Sequence, residues 1–409
     1  NLSMSSSHNG TSDTTKTADV SPAAAAPPPP AAVKQPRIQV PSKTARPNVV
    51  IVREEDLPPA FVPNQTTFSI EYFSSMSPCT PLTPSDVSFT LTTQLSVDRL
   101  WIMKHQCERW PSPLPIAIVV YLPPNAPPNQ DSKILNRLEH EMKCDLTRMK
   151  ITFFQASPDS PIHQYPVNTL RNLALESITT THAAYIDSDF LISDGLHDDL
   201  MTTAAVLAND THSAVVMPAF EHISNCKITR RQNEVLTCLR SEWDMIPKHH
   251  EDIVALREKK ERPLVKNGYQ SKRGKNKYHG TTMYNAWIES NLSTPIPIPC
   301  LKHWTYEPYL AVRVCHDLPK IQEIFKGWGF NKIRWVKILL KKLGFRLWQV
   351  SHGFVMHIPH EISISRQKGM DKHPPEFDAY MDWLNTLPAH PDQLPHCSEW
   401  KKEHGPLQS

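Results

Sequence analysis

From residue 86 onward the spacing of apolar positions alternates between strand-like and helix-like periods. Val87-Ser-Phe-Thr-Leu-Thr92 alternates with a period of two and predicts a strand. Residues 97–110 read as a helix. Ile116-Ala-Ile-Val-Val-Tyr121 is a continuous apolar run, as a parallel strand covered on both faces requires. In 131–146, Ile134, Leu135, Leu138, Met142 and Leu146 share one helical face. A strand at 151–154, a helix at 168–178, a strand at 183–186, a helix at 196–208 and a strand at 214–217 follow. Residues 221–300 look irregular and polar, and a unit of helix (332–343) and strands (345–350, 354–356) closes the pattern. Strands alternating with helices predict an α/β domain with an open sheet flanked by helices and a crevice at the strand ends.

The first 60 residues differ. They are rich in Ser, Thr, Ala and Pro, including Ala23-Ala-Ala-Ala-Pro-Pro-Pro-Pro30, and are expected to be a disordered stem or linker. Residues 61–85 read as transitional and 86–400 as a single catalytic domain. A net charge of +3 gives no reason to expect a nucleic-acid partner. The basic runs Arg257-Glu-Lys-Lys-Glu-Arg262 and Lys272-Arg-Gly-Lys-Asn-Lys277 lack an aromatic platform, so they read as a solvated excursion or a contact for an acidic acceptor. No run of 18 apolar residues occurs, and the chain opens on Asn1 without a signal peptide, so any membrane attachment is expected from a missing N-terminal anchor. The eight cysteines contain no Cys-x-x-Cys pair, and their spacing leaves disulfide pairing open. Sequons at Asn1, Asn9, Asn64, Asn209 and Asn291 favour the secretory pathway.

The chemistry centres on His182-Ala-Ala-Tyr-Ile-Asp-Ser-Asp-Phe190. Its apolar run delivers Asp187 and Asp189, spaced by Ser188, to the exit of a strand. Two such acids can hold Mn²⁺ or Mg²⁺, and through it the diphosphate of a sugar nucleotide; Asp-x-Asp is also common in turns. Asn168, Arg171 and Asn172 open the preceding helix, where the guanidinium can neutralise a phosphate and the amides can read a base or ribose, or Arg171 can be solvated. Tyr278 to Trp287 mixes aromatic and hydroxyl groups suited to a sugar or to a core turn. Glu307, among Trp304, Tyr306 and Tyr309, can be a base of raised pKa or a salt-bridged structural acid. His357 and His360 end an apolar strand and can add a nitrogen ligand or pack in the core.

In this order the segments resemble glycosyltransferase family 49, and within it the C-terminal glucuronyltransferase domain of the LARGE proteins. The resembling segments are Gln94-Leu-Ser-Val-Asp-Arg-Leu100, Tyr165-Pro-Val-Asn-Thr-Leu-Arg-Asn172, Asp187-Ser-Asp-Phe190 and Val216-Met-Pro-Ala-Phe-Glu221. They continue through His279 to Trp287, Glu307-Pro-Tyr309, Gly329-Phe-Asn-Lys332 and Met356-His-Ile-Pro-His360, spanning about residues 88–365. The resemblance implies a GT-A-like fold, a UDP-sugar donor, Mn²⁺ dependence and inversion at the anomeric carbon. It maps the metal onto Asp187, Asp189 and His357, preferring His357 because distant members keep only the first of the two histidines. Donor contacts fall on Asn168, Arg171, Asn172, Asp187, Ser188 and Asp189. The acid that relatives carry after the Glu-Pro-Tyr strand is displaced here to Glu323, which leaves the base open between Glu307 and Glu323. The expected activity is transfer of a sugar, glucuronic acid by resemblance, from UDP to a glycan or glycoprotein acceptor in the Golgi lumen by a type II membrane protein. The alternatives are a catalytically inactive GT-A-fold glycan-binding module and, disfavoured for want of a second acidic cluster, a metal phosphohydrolase.

Overall fold

The computed structural model describes residues 48–57, 68–161, 165–224, 226, 232–258, 265–268, 278–291, 293–325, 331–360 and 375–406. The chain divides into residues 1–37 and 38–409, and every described residue lies in the second unit. Its strands are β1 (Asn48–Arg53), β2 (Phe89–Ser96), β3 (Ile116–Leu122), β4 (Met149–Gln155), β5 (His182–Tyr185), β6 (Phe190–Ile192), β7 (Ser213–Met217), β8 (Ala219–His222), β9 (Val265–Asn267), β10 (Ile296–Ile298), β11 (Tyr309–Arg313), β12 (Arg346–Gln349) and β13 (Val355–His357). The helices are α1 (Met103–Arg109), α2 (Gln130–Asn136), α3 (Val167–Glu176), α4 (Leu196–Met201), α5 (Ala204–Asn209), α6 (Gln232–Glu242), α7 (His250–Glu258), α8 (Tyr284–Glu289) and α9 (Asn331–Lys337). Pro375–Thr386 and Cys397–His404 are helical as well.

Nine strands form one open sheet in the order β1-β4-β3-β2-β5-β11-β7-β12-β10. From β1 to β5 every pair is parallel; β11 then enters antiparallel to both β5 and β7, so the sheet is mixed. Alternate residues of β3 explain its unbroken apolar run. Ile116, Ile118, Val120 and Leu122 enter one core with Trp110, Leu138 and Phe153, while Val119 and Tyr121 enter another with Leu170 and Ala174 of α3. Helices thus cover both faces, as the run predicted. A smaller sheet, ordered β6-β13-β8-β9, packs Phe220, Phe354 and Met356 against Trp287.

Two expectations are corrected. Residues 48–57 fall inside the expected disordered stem, yet β1 pairs in parallel register with β4 from Asn48–Lys150 to Arg53–Gln155. Val49-Val-Ile-Val52 is β-branched and supplies an edge strand, with Val49 and Val52 packed on the cores. The remaining residues of the 1–60 stretch, like 259–262 and 272–277 of the basic runs, lie outside the described residues. Residues 221–300, expected to be irregular, hold α6, α7, β9, α8 and β10. All eight cysteines are paired: Cys79–Cys315, Cys107–Cys144, Cys226–Cys238 and Cys300–Cys397.

Candidate active site

Asp187-Ser-Asp189 is the link by which the chain leaves the large sheet at β5 and enters the small sheet at β6. β13 lies antiparallel to β6 with His357 opposite Phe190, and the Ile358 amide donates to the Asp189 carbonyl at 3.1 Å. That pairing carries two histidines from far along the chain to Asp189. His357 Nε2 lies 3.6 Å and His360 Nε2 3.1 Å from Asp189 Oδ2. One ligand atom from each of these three residues falls within 4.8 Å of the others. Burial alone would raise the Asp189 carboxyl, but the two imidazoles outweigh it and hold it well below the usual range. Asp189 Oδ1 is buried and has no hydrogen-bond partner among the described residues. A buried acceptor left open beside imidazole nitrogen fits a divalent cation that takes mixed O and N ligands, such as Mn²⁺.

Asp187, expected in the same ligand set, has both oxygens engaged by protein donors. Its Oδ1 accepts from Arg171 Nη2 and the Tyr185 hydroxyl, each at 2.9 Å. Its Oδ2 accepts from Lys332 Nζ at 2.7 Å and the Tyr309 hydroxyl at 3.1 Å. Desolvation opposes ionisation here, but Lys332 and Arg171 overcome it and keep the carboxyl far below its ordinary pKa. Ser188, between the acids, is half-buried.

Arg171 is buried rather than solvated: it is 6% exposed, and Nε donates to the Tyr185 hydroxyl at 3.0 Å and Nη1 to Asn168 Oδ1 at 3.1 Å. Asn168 and Asn172, expected to read a nucleotide, are 1% exposed and turned to residues 321–323. Asn168 donates to the Gln322 carbonyl at 2.7 Å, and Asn172 to the Ile321 carbonyl and Glu323 Oε1 at 2.8 Å each. Amides on the buried face of α3 satisfy a loop whose backbone would otherwise be left unpaired.

The same contacts separate the two candidate bases. Glu323 is bound to α3 through Thr169 Oγ1 (2.9 Å) and Asn172. Glu307 is 27% exposed in its side chain and lies 3.7 Å from Lys332 Nζ, in the network of Asp187. Burial raises its pKa above the ordinary carboxylate value, with Lys332 offsetting part of the rise. Of the three neighbouring aromatics, Tyr306 is buried and bonded to Thr282 at 2.9 Å, and Tyr309 serves Asp187. Trp304 is 44% exposed and is the one left open to stack on a sugar.

Lys332 was not recognised as a site residue. It sits in the first turn of α9, is 6% exposed, and holds Nζ 3.8 Å from the centre of the Tyr309 ring, besides its bond to Asp187. Only its place in the segment Gly329-Phe-Asn-Lys332 hinted at a role. Tyr185 and Tyr309 were likewise unassigned. A separate cavity of about 490 Å³ at the far end of β6, lined among others by Lys104, Arg109, Asp194 and Trp243, contains none of these residues.

The profile of the family described as "Glycosyl-transferase for dystroglycan" matches residues 119–262, which include Arg171, Asp187 and Asp189. The chain resembles glycosyltransferase family 49. It is 28% identical to the xylosyl- and glucuronyltransferase LARGE2 of Mus musculus, over 69% of this chain and 36% of that protein. It is 26% identical to the glycosyltransferase-like protein gnt14 of Dictyostelium discoideum, over 67% of this chain and 37% of that one. The chain therefore spans little more than a third of the length of these relatives. Among solved structures it is similar to S. aureus TarS 1-349 with a TM-score of 0.33 and 12% identity, over 66% of this chain and 60% of that chain.

Proposed function

We propose that the protein is a metal-dependent inverting glycosyltransferase that moves a sugar, glucuronic acid by its resemblance, from a UDP-sugar to a glycan or glycoprotein acceptor. The observation that carries this reading is the meeting of Asp189 and His357 on paired strands, beside the network of Asp187, Arg171, Lys332 and Glu307. A divalent cation, Mn²⁺ or Mg²⁺, would be held by Asp189 and His357 and would neutralise charge developing on the departing UDP. Asp187 is fixed beside it by Arg171 and Lys332. Glu307 accepts the proton of the attacking hydroxyl, a role suited to its raised pKa, and Lys332 keeps its ionised form accessible. Trp304 gives the acceptor sugar a face to stack on.

The reading places the protein in the Golgi lumen. Its four disulfides suit an oxidising compartment, and Asn209 and Asn291 of its sequons are exposed. No helix among the described residues is long and apolar enough to cross a membrane, so attachment would come from an anchor outside them. A second reading, a glycan-binding module without turnover, draws on Asp187, both of whose oxygens are engaged by protein donors.

UDP release from a panel of UDP-sugars, with Mn²⁺ or with EDTA, tests the proposal. Release that needs Mn²⁺ and is fastest with UDP-glucuronic acid is expected. Mn²⁺-dependent binding of UDP-sugars without release would favour the second reading, and release indifferent to EDTA would refute metal dependence.

A further inference from the structure

His360 touches Asp189 as closely as any candidate ligand, and its other nitrogen decides what it does there. Its Nδ1 lies 2.9 Å from an Arg99 Nη2. Arg99 is 7% exposed and belongs to the 3-10 turn Val97–Ile102 that follows β2. A guanidinium donates and never accepts, so Nδ1 must present its lone pair. Across the ring, Nε2 faces Asp189 Oδ2 at 3.1 Å, and an ionised carboxylate only accepts. Nε2 must then carry the hydrogen. Both neighbours require the same tautomer, and turning the ring over would set a carbon against each. In this tautomer His360 keeps no lone pair for a cation. His357 Nε2 lies 3.6 Å from the same oxygen and is the histidine that the metal-assisted reading assigns to the cation.

We propose that His360 is a positioning residue: Arg99 fixes its ring with the hydrogen on Nε2, and that N–H occupies Asp189 Oδ2 so that Oδ1 is the oxygen presented to a cation. This rests on the metal-assisted reading above. It absorbs the segment Gln94-Leu-Ser-Val-Asp-Arg-Leu100, which that mechanism leaves unused. It also gives the second histidine of Met356-His-Ile-Pro-His360 a task other than ligation, in the way outer partners orient a ligating carboxylate.

Two measurements on the full chain test it. Long-range proton–nitrogen NMR of the metal-free protein labelled with ¹⁵N-histidine reads the tautomer, with His360 assigned by the signal lost in His360→Gln. The Nε2–H form is expected, and Arg99→Met should weaken the preference, leaving Asp189 alone to hold it. An Nδ1–H ring, or a ring indifferent to Arg99→Met, overturns the inference. Pulsed EPR with Mn²⁺ then counts coordinated imidazole: one nitrogen is expected, lost in His357→Gln and retained in His360→Gln. Two nitrogens, or loss on His360→Gln, would make His360 a ligand. His360→Ala should weaken Mn²⁺ binding about 10- to 100-fold. His360→Gln, which restores an N–H, should return it to within a factor of about five. Failure to bind Mn²⁺ at all would overturn the metal reading together with this inference, whereas a wrong tautomer would overturn the inference alone.

Discussion

Lys332 sets the electrostatics between Asp187 and Glu307, the two carboxylates nearest its Nζ. On the proposed assignment of Glu307 as the base, its proton uptake as pH falls through its raised pKa should make kcat/KM drop at a higher pH than an ordinary carboxylate would give. Lys332→Met removes the positive charge that favours the ionised form, so this acidic limb should move to still higher pH. Glu307→Gln should abolish the limb and lower kcat by a factor on the order of 10² or more, while UDP-sugar binding persists. An unchanged kcat in Glu307→Gln would place the base elsewhere. The meeting of Asp189 and His357 was legible because their residue types and strand-end positions pointed to a shared site. Lys332 was not, because a lysine on a helix normally reads as solvated and its partner Asp187 is 145 positions away. Asn168 and Asn172 misled for a related reason. Their helix position is evident from the sequence, but which neighbour satisfies a buried amide depends on a loop 149 to 154 positions distant.

Strands with strong local patterns were read well, β3 above all, since an apolar residue at every position has one structural explanation. β6 has three residues, too few for a period, and β11 carries no mark telling that it enters antiparallel between β5 and β7. β1 was lost in the composition of the segment before it. It is the edge of the sheet, and behind it Glu54 Oε2 accepts from the Ser157 amide at 3.0 Å and the Ser160 hydroxyl at 2.6 Å. A chain beginning at residue 61 should therefore melt below one beginning at residue 46, by about 2–6 °C in calorimetry. Equal melting temperatures would show that β1 adds nothing to the stability of the sheet.

Over the described residues, the expected open mixed sheet flanked by helices is present, and the candidate site forms where the large sheet hands the chain to the small one. Cysteine pairing was illegible, since the bonds join positions separated by as many as 236 residues and as few as 12. Those separations predict unequal contributions. Replacing Cys79 and Cys315 by Ser should cost about 2–3 kcal/mol more than replacing Cys226 and Cys238, because the longer loop leaves the unfolded chain more entropy to lose. Denaturant midpoints would report the difference, and equal losses would contradict the loop-entropy account. The central claim is that Asp189 and His357 hold a cation on which a sugar nucleotide depends. Titration calorimetry of UDP into the protein, with Mn²⁺ or EDTA and in Asp189→Asn, tests it most directly. Saturable binding that requires Mn²⁺ and weakens on the order of 100-fold in Asp189→Asn is the outcome predicted. UDP binding of equal strength in EDTA and in Asp189→Asn would contradict it.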